Sequence, residues 1–312
     1  EITITRINSI DFISEINSKK KQNIAFGYKF IGNYAPSDKD RDILEFEELA
    51  LKNSENYPLL AVLRMDVDNL GKIFKNGFGE DKSISRISTL SREFNLFFLG
   101  YINELSRKHE IYIAYSGGDD VFVVGSWINI IEFAVNLRKD FSKFTCGNPN
   151  FTISGGIFFC KDKFPIGKAA EIAGEEESKA KKSNNEEKDA LSIFGKCIKW
   201  DKLFEVLSYA KELYAFLVEE EKESNSVTRG FVYQIYELSK NFEDKDGFNI
   251  NLFKTSLAKL HYLIARRGVT ANKIKENPNE KKVQLLQKLL DLDTQEYFRI
   301  IGSYILLKTR NN

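Results

Sequence analysis

The chain has 312 residues and a formal net charge of +1, enough length for two domains of ordinary size and no long-range field that draws it to nucleic acid or an anionic membrane. Three widely spaced cysteines (Cys146, Cys160, Cys197), no Cys-x-x-Cys and two histidines, His109 and His261, argue against a disulfide framework or a zinc site and fit a reducing cytoplasm. No apolar run reaches the length of a membrane span and no signal peptide opens the chain; a start at Glu1, directly in a strand-like pattern, suggests a fragment of a longer protein.

Residues 1–34 alternate apolar and polar in two patches, 2–7 and 24–31, which predict strands flanking the first domain. A loop over Pro36–Asp42 and a short helix through Phe46, Leu49 and Ala50 follow. Next comes the apolar run Leu59-Leu60-Ala61-Val62-Leu63-Arg64-Met65, ending in Asp66-Val67-Asp68. The pattern then predicts a helix over Ser83–Lys108. Two β-branched and aromatic runs, Ile111–Ala114 and Val121–Val124, flank Tyr115-Ser116-Gly117-Gly118-Asp119-Asp120. They read as a hairpin with a Gly117-Gly118 turn, where glycine supplies positive φ at little steric cost. A helix (Trp127–Phe144), a strand (Phe151–Phe159), a helix (Ile166–Lys182) and a strand near Ala190–Phe194 complete this part.

That order predicts an α+β fold: a ferredoxin-like split βαβ sheet with helices on one face, placing Asp66 and the hairpin tip on adjacent central strands. After Trp200 the stripes Leu203/Phe204/Leu207, Phe231/Ile235/Leu238, Phe253/Leu257/Leu260, Val283/Leu286/Leu290 and Phe298/Ile301/Ile305 recur at helical spacing, predicting an all-α bundle. The domains are therefore 1–199 and 200–312, with polar loops over 241–247 and 273–282.

The chemistry lies in the acids. Two carboxylates about 4 Å apart repel by roughly 4 kcal/mol at an effective dielectric near 20, so a cluster of Asp66, Asp68, Asp119 and Asp120 takes up protons or binds cations. Hard oxygen donors favour Mg²⁺ or Mn²⁺, and a pair of such ions serves phosphoryl or nucleotidyl transfer. A surface hairpin with solvated aspartates is the plainer alternative; the second acidic strand end weighs against it. Asn69, Leu70 and Gly71 lead into a helix whose backbone N–H groups suit a triphosphate, although an ordinary strand-to-helix cap has the same residues. The run from Glu175 to Lys182 suits a solvated helix face, and Arg266-Arg267 suits surface ion pairs more than RNA contact.

The segments Phe26-Gly27-Tyr28-Lys29-Phe30-Ile31-Gly32, Leu63 to Gly71 and Tyr115 to Asp120 together resemble the large signature subunit of type III-A CRISPR effector complexes, over nearly the whole chain, as its cyclase-type palm plus C-terminal helical domain. The palm is more distantly similar to GGDEF cyclases. That subunit's nuclease domain, first palm and zinc-binding linker have no counterpart here. The resemblance implies a metal-dependent nucleotidyltransferase that converts ATP into cyclic oligoadenylates, with the other effector subunits, guide RNA and target RNA as partners.

Carried over by position, the resemblance implies that Asp66, the Val67 carbonyl, Asp119 and Asp120 hold two ions, with Asp119 principal and Asp120 in support. It further implies that Ser116, Gly117 and Gly118 line the nucleotide and that Lys181 meets its phosphates. Phe74 stands where GGDEF enzymes carry a guanine-reading Asn, which favours adenine, because a site unable to pair guanine's polar edge buries it at a cost. A second ATP site is expected on a neighbouring surface, so this fragment by itself should make little product. Two other functions remain open: a scaffold without catalysis, and a GTP-using diguanylate-type cyclase.

Overall fold

The computed structural model describes residues 29–40, 42–53, 57–221, 229–240, 250–266 and 281–310. The expected strands at 2–7 and 24–31 lie outside these, apart from Lys29, Phe30 and Ile31, which have no regular structure; the expected loop at 241–247 and Arg267 lie outside as well. Two compact units divide the chain between Ala190 and Leu191, with Tyr57 belonging to the second.

In the first unit, helix α1 (Phe46–Leu51) precedes strand β1 (Leu60–Val67) and helix α2 (Leu70–Asn76). Helix α3 (Ile84–Asn95) runs through a π-helical segment, Leu96–Tyr101, into α4 (Ile102–His109). Ser83 caps α3 by accepting the Arg86 N–H, which satisfies one of the orphan donors of a helix start. Strands β2 (Tyr112–Gly117) and β3 (Asp120–Ser126) form the hairpin, followed by α5 (Trp127–Phe144), β4 (Ile153–Cys160) and α6 (Ile166–Glu186). The strands are ordered β2-β3-β1-β4, with β1 antiparallel to both β3 and β4. This is the order of a split βαβ sheet, with β1 and its carboxylate end at the centre.

Helices cover both faces of the sheet, which corrects the one-sided arrangement expected from sequence. Side chains on adjacent strand positions point to opposite faces. Gly125 pairs with Ala61, and a Cβ on it would stand 3.3 Å from Ile130 of α5; Gly156 pairs with Arg64, and a Cβ there would stand 2.2 Å from the Glu177 nitrogen of α6. So α5 covers one face and α6 the other. The reason is visible in β1: Leu60, Ala61, Val62 and Leu63 are all buried, and a strand apolar at both parities needs cover on both sides. On the α6 face, Leu60, Val62 and Val124 pack with Ala169, Ala173, Leu49 and Ala50. Farther along β1 the same face becomes charged, at Arg64 and Asp66.

The second unit takes in most of the short strand β5 (Ala190–Ile193) and then β6 (Lys196–Lys199). Among the described residues the helices that follow are α7 (Trp200–Glu221), α8 (Arg229–Lys240), α9 (Ile250–Ala265), α10 (Lys281–Lys288), α11 (Leu292–Gln295) and α12 (Phe298–Lys308). Helix α12 lies against α7 and α8; a Cβ on Gly302 would meet that of Tyr236 at 2.9 Å, so these helices approach closely. The Tyr209 hydroxyl donates to the Leu285 carbonyl at 2.7 Å. Strand β6 was not expected, being four residues long; its turn, Phe194-Gly195, has positive φ at both positions, as a tight hairpin requires. Lys281 and Lys282 open α10 rather than closing a loop. Among the described residues no helix is long and apolar enough to cross a membrane.

Candidate active site

Two backbone hydrogen bonds fix the end of β1: the Val67 N–H donates to the Asp119 carbonyl at 3.1 Å and the Asp68 N–H to the Thr152 carbonyl at 2.8 Å. In register, Asp66 stands opposite Asp120 on one side and Ser154 on the other. Gly117 pairs with Asp120, so the two-residue turn is Gly118-Asp119, one position later than the sequence pattern predicts. Gly118 has φ +65°, and the first central residue of a type II′ turn is where a hairpin needs that freedom. The shift matters for the acids: Asp119 sits in the turn, outside the strand's alternation, and both hairpin carboxylates act on Asp66.

Burial raises the Asp119 carboxyl above its ordinary value, and the nearby carboxylates of Asp66 and Asp120 add to this. Burial also raises Asp120, as does Asp66, against the opposing pull of Arg64 and Lys181.

Two cations meet these acids from the α6 side. Lys181 Nζ donates to Asp66 Oδ2 and, at 2.7 Å, to Glu177 Oε1; one turn of α6 separates Glu177 from Lys181 and stacks them on one face. Burial opposes the lysine's charge, yet its hydrogen bonds to Asp66 and Glu177 leave its pKa raised. Arg64 NH2 lies 3.4 Å from Asp120 Oδ2, and its Nε lies 3.8 Å from Glu177 Oε2. Burial raises Glu177, and Lys181 and Arg64 pull it back. The result is a chain of alternating charge: Asp120, Arg64, Glu177, Lys181, Asp66. Neither Arg64 nor Glu177 was singled out from sequence as a site residue. A cation inside an apolar strand, two positions before Asp66 and so on its face, was the available signal.

Asp68 departs from the expected cluster. It is 1% exposed, and its Oδ2 accepts from the Thr152 hydroxyl (2.8 Å), the Ser154 hydroxyl (2.9 Å) and the Asp189 N–H (3.1 Å). Ser116 also turns away: its hydroxyl donates to the Phe98 carbonyl in the π-helical segment, so its side chain is committed to packing rather than to a ligand. Asn69 adopts the left-handed region, φ +57°, and its side chain accepts from Lys188 Nζ at 2.8 Å. Gly71 on α2 is open to its surroundings: a Cβ added there would meet nothing within 4 Å. Phe74 is half-buried on the same helix. A cleft of about 590 Å³ opens beside Arg64, lined by Gly174, Glu177, Ser178 and Lys182; the hairpin acids are not among its walls.

Among the described residues no group of three or more His, Cys, Asp and Glu stands ready to hold a metal; Lys181 takes up Asp66 instead. The donor chemistry nonetheless suits a hard divalent cation. Asp66 stands opposite Asp120 and the Val67 N–H beside it donates to the Asp119 carbonyl, the buried Oδ1 of Asp120 has no hydrogen-bond partner, and every donor is oxygen.

Residues 59–192 match the family model for Cas10/Cmr2, second palm domain. Two curated relatives are named CRISPR system single-strand-specific deoxyribonuclease Cas10/Csm1 (subtype III-A). The one from Methanocaldococcus jannaschii is 39% identical over 53% of this chain and 24% of its own length; that from Streptococcus thermophilus is 36% identical over 80% of this chain and 32% of its own. The chain thus spans a quarter to a third of these relatives. Among solved structures, Csm1 of T. onnurineus superposes with TM-score 0.67 at 22% identity, covering 90% of this chain and 42% of that one. A Csm1-Csm4 cassette in complex with AMPPNP gives TM-score 0.64 at 23% identity, covering 91% and 41%. At such identities the likeness concerns the fold. The sheet, the acidic hairpin and these matches converge: residues 59–192 belong to the second palm domain described for Cas10/Cmr2, and the chain is similar to subtype III-A Cas10/Csm1.

Proposed function

We propose that this chain is the nucleotidyl-transfer palm of a type III CRISPR effector subunit, joining ATP into cyclic oligoadenylates. The observation that carries the reading is the convergence of Asp66, Asp119 and Asp120 from two neighbouring strands, with Lys181 within bonding reach of Asp66. Csm1-Csm4 cassettes of similar fold have been solved with ATP, with pppApA and with cA3, a substrate, an intermediate length and a ring of one chemical series. By the same likeness, a Csm4-type subunit and the RNA of the complex are the partners.

In this reading Asp66 and Asp119 hold divalent cations, Mg²⁺ or Mn²⁺, with Asp120 and the Val67 carbonyl in support. Held there, such ions would supply the charge that activates a 3′-oxygen and neutralises a departing pyrophosphate. Gly118 leaves room for phosphates beside the acids, with nothing within 4 Å of an added Cβ, whereas a Cβ at Gly117 would meet the Tyr115 hydroxyl at 3.3 Å; Asn69, Leu70 and Gly71 present backbone N–H groups to the phosphates. Lys181 leaves Asp66 to meet the triphosphate. Phe74 packs against the purine and offers no partner to guanine's polar edge, which disfavours GTP.

Calorimetry with ATP and Mg²⁺ on the full chain and on an Asp119→Ala, Asp120→Ala variant tests the reading. Metal-dependent ATP binding that the variant loses supports it. No binding by the parent leaves a scaffold, and preference for GTP points to a diguanylate-type cyclase.

A further inference from the structure

Lys181 of α6 and Arg64 of β1 meet at one residue, Glu177. Its Oε1 takes Lys181 at 2.7 Å and its Oε2 lies 3.8 Å from Arg64. Each cation in turn meets a different acid of the site, Lys181 at Asp66 and Arg64 at Asp120. The Glu177 side chain is 11% exposed, and its backbone is pressed onto β4 at Gly156, so the carboxylate is fixed by packing rather than free to wander. The ammonium has three donors and bonds Asp66 and Glu177 at once, so it keeps one acceptor when the other is taken.

We propose that Glu177 is a positioning residue that turns Lys181 into an exchangeable counter-ion for Asp66. Resting on the catalytic reading above, this assigns the lysine two successive partners. Before a divalent cation arrives, Lys181 neutralises Asp66 and blunts its repulsion with Asp119. When a cation takes Asp66, Lys181 stays on the site through Glu177, aimed at the phosphates that accompany the ion. Arg64 performs the matching task for Asp120. Lys181 therefore opposes binding of a bare cation and favours binding of a cation carrying a nucleotide. A lysine that merely braced the fold would favour both or neither.

The test is a double-mutant cycle on the full chain, with Mn²⁺ alone and then with Mn²⁺ plus a non-hydrolysable ATP analogue, read by calorimetry. Lys181→Met is expected to bind bare Mn²⁺ about three- to tenfold more tightly and the Mn²⁺–analogue pair about tenfold more weakly, opposite signs from one substitution. Glu177→Gln is expected to weaken both in the parent background and to lose most of its effect on the analogue in the Lys181→Met background, since its action passes through that lysine. Asp66→Asn separates the two ideas. Bare Mn²⁺ that is weakened by Asp66→Asn but no tighter in Lys181→Met, or a Glu177→Gln effect undiminished without Lys181, overturns the exchange while the catalytic reading stands. Mn²⁺ binding indifferent to Asp66→Asn overturns both.

Discussion

Asp66, on β1, and Asp68, in the turn just after it, lie two residues apart, yet their surroundings differ in kind. Asp66 faces ions: Lys181 across a hydrogen bond, the charge of Asp119 in the turn, and Asp120 directly opposite in register. Asp68 faces neutral donors, two hydroxyls and a backbone N–H, and is 1% exposed. One carboxylate is held among charges that a ligand can rearrange; the other is fixed by neutral hydroxyl and N–H donors. An Asp-x-Asp strand end thus divides its labour, with the first acid free for chemistry and the second pinning the turn and the 187–189 loop that frame it.

The two acids should part most widely in activity. In a reconstituted effector complex, Asp66→Asn should lower oligoadenylate formation by about a hundredfold or more, the scale of losing a group that stabilises developing charge. Urea unfolding of the same variant should show little loss of stability. Asp68→Ala should do the reverse in kind, costing about 2–3 kcal/mol of stability by stranding one buried and two half-buried donors; a stable Asp68→Ala protein with normal unfolding would erase the division of labour. Gly156→Ala should cost about 1–3 kcal/mol, because a methyl group there meets α6 backbone at Glu177 and must push the helix from the sheet.

The pH dependence carries the same contrast with a smaller effect. Asp119 is raised above its ordinary 3.8 by burial and by Asp66, so the folded chain holds its proton more tightly than the unfolded one. The stability this lends is present below the unfolded value and is lost as pH rises through the folded one. Asp119→Asn, which carries no charge, should therefore melt at a higher temperature than the parent at pH 7, and the gap should close as pH falls toward 4. An acid placed for catalysis is thus expected to be a liability to the fold, whereas Asp68 is an asset.

Much of this was legible in the residues. The strand and helix runs from Leu59 to Lys182 are long and strongly periodic, so the split βαβ order could be read from them, and the positions of Asp66 and the hairpin acids followed. The turn could not: Gly117-Gly118 and Gly118-Asp119 both satisfy a two-residue hairpin, and the choice is made by cross-strand register, Gly117 against Asp120. The cover on both faces was implied by Leu60 to Leu63, which are apolar at both parities, but their run also suits a buried strand of any sheet. Ser116 was misplaced because its hydroxyl is claimed by the carbonyl of Phe98, in a π-helical turn that leaves no mark in a sequence. Arg64 and Glu177 owe their importance to a contact between β1 and α6, more than a hundred residues apart in the chain, and neither segment alone announces it.

Crystals of the full chain soaked with Mn²⁺ and a non-hydrolysable ATP analogue, recorded at the manganese absorption edge, would decide whether the hairpin acids hold metal. The expected result is anomalous density bounded by Asp66 and Asp119, with Lys181 turned from Asp66 toward the phosphates. Manganese bound at Asp68, or nucleotide bound with Lys181 still on Asp66 and no metal at the hairpin, would refute the site as drawn from these residues.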